Sequence, residues 1–166
     1  MRLFAAIATA GALGAVTVLT ATASAQGDSA PAATQSSLVE DYQHPNQDGA
    51  AAVGMTLKNG NGKIFWLDCA VGGDLVVVES DSITTPNHFA CFKVTGPGGY
   101  LALKVPSTYF IKGDSHKIEA TLTAQVDGRE VTQPPYTIKS GEFTPVGETV
   151  HEDQGPAALV EIRSLP

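Results

Sequence analysis

Two cysteines, four histidines and seventeen acidic side chains are the residues of this chain with the means to do chemistry. Cys69 and Cys91 admit one intramolecular pairing, and no Cys-His signature of a nucleophilic thiol accompanies either, so a disulfide is expected. Closing a loop of about 23 residues contributes about 3 kcal/mol in the chain-entropy account, a large share of a small domain's stability. A zinc centre fails on ligands. There is no Cys-x-x-Cys, and His44, His88, His116 and His151 stand apart.

Gly113-Asp114-Ser115-His116 has the residue types of a hydrolase block in the wrong setting. A nucleophilic serine sits on a turn from strand to helix, where helix and loop amides stabilise an oxyanion. Here the four residues lead into an alternating strand, so they read as a turn and no catalytic residue is assigned. Gly-x-Ser-x-Gly and His-Glu-x-x-His are both missing. Asp74, Glu79 and Asp81 supply oxygen ligands of the kind calcium takes, but their spacing matches no dedicated calcium loop. No metal site and no cofactor is expected.

Aromatic rings could instead stack on a sugar. Of Trp66, Tyr100, Tyr109, Phe110, Tyr136 and Phe143, most fall on core or strand-pairing positions by alternation. Tyr100 projects opposite Leu101, Leu103 and Val105, which makes it the candidate aromatic platform.

These residues must be positioned by a small β domain. The chain of 166 residues is 43% hydrophobic and 16% charged, too apolar for a disordered polymer. Seventeen glycines and ten prolines interrupt it too often for a helical bundle. Arg2, the uncharged run from Leu3 to Thr22 and Ala23-Ser24-Ala25 form an export signal, 1–25, with Gln26 as the mature N-terminus. Its removal takes the formal charge from -7 to -8, and the remaining basic residues are scattered. Nucleic acid is therefore excluded as a partner, and no stable membrane span is expected after cleavage.

Residues 26–49 are rich in Ala, Ser, Gln and Pro and read as a flexible tail, with Leu38, Val39 and Tyr42 as its docking points. The folded body, 50–166, is expected to begin near Ala50. Short apolar runs separated by turn signals place strands at 52–58, 63–69, 74–79, 88–94, 100–105, 109–112, 116–126, 130–133, 136–139, 142–146 and 158–163. Asn59-Gly60-Asn61-Gly62, Gly96-Pro97-Gly98-Gly99 and Asp127-Gly128 are the turns between some of them. Ile118, Ala120, Leu122, Ala124 and Val126 share one face of the clearest strand, which is therefore half-buried. No amphipathic helix and no internal repeat is visible in the mature chain.

Two strands are apolar on both faces. Phe65 and Leu67 share a face with Cys69, and Phe89 shares one with Cys91. If the disulfide faces inward, Ile64, Trp66, Phe92 and Val94 form a second apolar surface, a candidate interaction patch.

Tyr100-Leu101-Ala102-Leu103-Lys104-Val105, Phe110-Ile111-Lys112-Gly113-Asp114, Glu142-Phe143-Thr144-Pro145-Val146-Gly147-Glu148 and Leu159-Val160-Glu161-Ile162-Arg163 resemble segments of a group of small exported actinobacterial proteins of unassigned function. The resemblance covers the C-terminal half of the body. It implies a compact secreted β domain and transfers no functional residue.

The expectation is an all-β protein, a single antiparallel β-sandwich of seven to ten strands, Ig-like in the broad sense, with one disulfide. A strict immunoglobulin assignment fails, because Trp66 precedes Cys69 rather than lying between the cysteines. The expected function is that of a secreted, non-catalytic binding module for an extracellular protein or a glycan. The alternatives are a carbohydrate-binding module with at least two coplanar exposed rings, a small hydrolase built on His88 or His116, and a protease inhibitor presenting Pro86-Asn87-His88.

Overall fold

The computed structural model describes residues 42–166. The expected signal peptide, and the expected tail up to Asp41 with Leu38 and Val39, lie outside the described residues. In chain order the strands are β1 (Tyr42–Gln43), β2 (Thr56–Gly60), β3 (Ile64–Leu67), β4 (Val76–Ser80), β5 (Phe89–Val94) and β6 (Gly99–Val105), followed by β7 (Thr108–Lys112), β8 (Ile118–Val126), β9 (Arg129–Thr132), β10 (Tyr136–Ile138), β11 (Phe143–Pro145) and β12 (Ala158–Ser164). One short helix, α1 (Gln47–Ala52), precedes β2, and single 3₁₀ turns occupy Cys69–Val71 and Gly147–Thr149.

The chain forms an antiparallel β-sandwich with one disulfide. One sheet has seven strands, in the order β1-β2-β6-β12-β8-β10 with β9 also on β8; the other has five, in the order β11-β7-β4-β5-β3. All eleven expected strands are present with their ends moved by a few residues, and β1 is added ahead of them. The described strands thus outnumber the expected seven to ten. Asp127 and Gly128 both take positive φ, 50° and 74°, as a two-residue turn between β8 and β9 requires.

Ordered elements start before Ala50. Gln47-Asp48-Gly49-Ala50-Ala51-Ala52 carries no apolar stripe, so periodicity could not mark it as helical. So short a helix is marginal in isolation. Ala50 is fully buried against the core, and its carbonyl accepts from Val53 and Met55 at 3.2 and 3.1 Å, which ties α1 to β2.

Alternation sets the inner face of the seven-stranded sheet. Leu101 and Leu103 of β6, and Ile118, Ala120 and Leu122 of β8, are buried. In β12 the register shifts between Leu159 and Glu161. That bulge lets Leu159 and Ile162, three positions apart, both point inward.

In the five-stranded sheet, β3 and β5 are turned the other way from expectation. Ile64, Phe92 and Val94 are 2%, 0% and 1% exposed, and they pack with Val76, Val78 and Ala90 in the core between the sheets. Trp66 is partly buried against the same core. These four residues are therefore not an exposed interaction patch. Cys69 and Cys91 are bonded, with Sγ–Sγ 2.13 Å and Cα–Cα 5.2 Å. Leu67 faces Cys91, which in turn faces Val77 across β4. The bridge thus sits on the outer face, where Cys91 is 3% exposed without belonging to the core. With both faces apolar, alternation gave β3 no preferred side. The inner side is decided by β4, whose Val76 and Val78 are fully buried and stand opposite Phe92 and Ala90.

Each sheet edge is blunted. β1 has two residues, Pro134-Pro135 separates β9 from β10, and β11 ends in Pro145. Edge strand β3 is met by the segment before α1, because the Trp66 amide donates to His44 Nε2 at 2.9 Å. An edge so occupied cannot readily pair with another chain. Among the described residues no helix is long and apolar enough to cross a membrane.

Candidate functional site

The Cys69–Val71 turn and the Thr85–Phe89 loop meet at the C-terminal end of β3. Asp68 caps the turn, its Oδ1 accepting from the Ala70 amide at 2.9 Å. The disulfide fixes the turn to β5. On the facing side, Thr85 Oγ1 donates to the Phe89 carbonyl at 2.9 Å and accepts from the Phe89 amide at 3.0 Å. The His88 amide donates to Thr85 O at 3.0 Å, and His88 Nδ1 donates to Ile83 O at 2.8 Å. His88 itself takes φ 58°. Five residues are thus closed into a braced loop.

Between these two walls lies a pocket of about 470 Å³, lined by Val53, Trp66, Leu67, Asp68, Cys69, Ala70, Thr85, Pro86, Asn87 and Phe89. Its size falls within the range of sites for small ligands and side chains, roughly 300–1,000 Å³. The lining is mainly apolar, with two aromatic residues, Trp66 and Phe89, and a single ionisable group, Asp68. Phe89 continues the apolar surface outward. Its ring centroid is 6.1 Å from that of Phe143, which is 6.3 Å from that of Phe110.

The other sequence candidates lie elsewhere. Tyr100 is half-buried on the outer face of the seven-stranded sheet, opposite Arg163 of β12, and its carbonyl accepts from the Asn61 amide at 3.1 Å. Arg163 Cζ stands 4.9 Å from its ring centroid and is held there by Glu161, with Nε to Oε1 at 2.5 Å and Nη2 to Oε2 at 3.2 Å. That carboxylate raises the Arg163 pKa, and the guanidinium covers a face of the Tyr100 ring. Tyr100 is therefore not an open stacking platform. Neither do the neighbouring rings of the five-stranded sheet make one: the interplanar angles of Phe89/Phe143, Tyr109/Phe110 and Phe110/Phe143 are 34°, 75° and 78°.

In the Gly113–His116 turn, Ser115 Oγ donates to Asp74 Oδ2 at 2.5 Å and the Ser115 amide donates to the same carboxylate at 3.1 Å. The serine hydroxyl holds the Asp74 pKa below its ordinary value and is committed to that weakly basic carboxylate rather than to an imidazole. His116 Nδ1 donates to the buried Asp114 at 2.9 Å. An acid is thus within reach of His116, yet the serine beside it is turned away, and neither residue lines the pocket. Glu79 Oε1 accepts from the Tyr109 hydroxyl at 3.1 Å, so Asp74 and Glu79 serve separate partners. Burial, with this contact second, raises the Tyr109 pKa. Among the described residues no group of three or more His, Cys, Asp or Glu is placed to hold a metal ion.

Sequence reasoning found Cys69, Trp66 and the Pro86-Asn87-His88 loop without joining them. It missed Asp68, Ala70 and Phe89 as neighbours of one cavity. One signal was available: Asp68 directly follows β3 and precedes a cysteine, a position suited to capping a tight turn. No protein-family model and no curated protein matches the chain.

Proposed function

We propose that the protein is an exported, non-catalytic binding module whose ligand enters the pocket between Trp66, Asp68 and Phe89. The carrying observation is the pocket itself. Its two walls are held by a disulfide and by paired Thr85–Phe89 hydrogen bonds, so little ordering cost is left to be met on binding. The disulfide is compatible with an extracellular location, where such bonds persist. The commitment of Ser115 to Asp74 supports binding over hydrolysis. Glycan binding through Tyr100 is less favoured, since Arg163 occupies its face.

The single tryptophan of the chain lines this pocket, so its fluorescence reports on occupancy. In a screen of small molecules and short peptides, a ligand of this site shifts Trp66 emission and raises the melting temperature. Ala70→Phe, which fills the cavity from an exposed turn position, abolishes both effects. A ligand that binds equally well to Ala70→Phe would place recognition elsewhere and defeat the reading.

A further inference from the structure

We infer that the pocket takes a basic side chain, arginine foremost, from an extended segment of a partner polypeptide. This rests on the binding reading above and names the occupant. Two aromatic residues, Trp66 and Phe89, line the cavity together with one carboxylate, Asp68, and no cationic residue lines it. Aromatic faces attract an organic cation, and an indole does so best. One Asp68 oxygen accepts from the Ala70 amide, which leaves Oδ2 to a ligand. The apolar walls suit the methylene stem that joins a guanidinium to its backbone. Net charge is -7 over the whole chain, so a basic segment is also favoured at long range.

A polypeptide, rather than a free small cation, is indicated by what adjoins the pocket. The Phe89–Phe143–Phe110 strip leads away from it, and Phe143 is 43% exposed. Val71, on the turn that forms the other wall, is 72% exposed. Apolar side chains flanking the basic residue would cover these groups. Lys112 lies opposite Phe143 in the sheet register, so a second basic residue is disfavoured along the strip. The ligand is therefore a single arginine flanked by apolar residues.

The test titrates the intact protein, by Trp66 fluorescence, with a capped pentapeptide of one arginine flanked by leucines and alanines. A second peptide replaces the arginine by norleucine. The arginine peptide is expected to saturate and to bind about ten-fold more tightly, the advantage of one charge-assisted contact. Asp68→Asn should reduce that preference to about two-fold or less, because asparagine keeps the cap and loses the charge. Near-ultraviolet dichroism of the variant checks that its fold is retained. Equal binding of the two peptides, abolished by Ala70→Phe, would overturn the basic occupant and leave the pocket a binding site. An arginine preference that survives Asp68→Asn would overturn the role given to the carboxylate. No response to either peptide would overturn the inference, while the wider ligand screen judges the pocket on its own.

Discussion

His44 shows how one side chain can join two parts of a fold and make the joint depend on pH. Two main-chain amides approach its ring, Trp66 N at 2.9 Å from Nε2 and Asn46 N at 3.3 Å from Nδ1. A neutral imidazole accepts at one nitrogen, and the shorter contact assigns that role to Nε2. A proton added there would face a donor. Burial, with the residue 4% exposed, lowers the His44 pKa from the ordinary value. The unfolded chain therefore takes up the proton first, and stability falls as the pH drops below about 6.5, reaching its lower level once the folded pKa is passed. His44→Gln keeps an acceptor and removes the titration. Urea midpoints measured at pH 7.5 and pH 5 should fall more in the parent than in this variant. An equal fall would exclude His44 as a source of the acid sensitivity.

The strands β5 and β11 carry the clearest energetic contrast among the elements. Phe92 is fully buried and Phe143 is 43% exposed. Phe92→Ala should cost about 3–5 kcal/mol, and Phe143→Ser about 0.5 kcal/mol or less, in equilibrium denaturation. Comparable costs would contradict the assignment of inner and outer faces. That assignment is also where sequence reasoning reached its limit. In β8 a single apolar face made orientation legible, and Ile118, Ala120 and Leu122 are buried as the period of two requires. In β3 the run Ile64-Phe65-Trp66-Leu67 is apolar throughout, so only the register with β5 and β4 selects a face. Strand positions and the Cys69–Cys91 pair were legible because turn residues and cysteine number are local facts. The pocket was not, since Val53, Asp68 and Phe89 are brought together by topology alone.

At the scale of the molecule, the disulfide joins the turn after β3 to the middle of β5. Cys69→Ser combined with Cys91→Ser should lower stability by about 2–4 kcal/mol, read from denaturant midpoints, and should loosen the wall of the pocket. A loss below about 0.5 kcal/mol would mean that other contacts hold the loop as firmly. The seven-stranded sheet adds a constraint of another kind. Its last strand in sequence, β12, lies between β6 and β8, and all three are anchored by register over most of their length. Until residues 158–164 have left the ribosome, the two halves of that sheet have nothing between them. That sheet must therefore stay open until this segment has been made, a delay expected of such sequence-distant pairings.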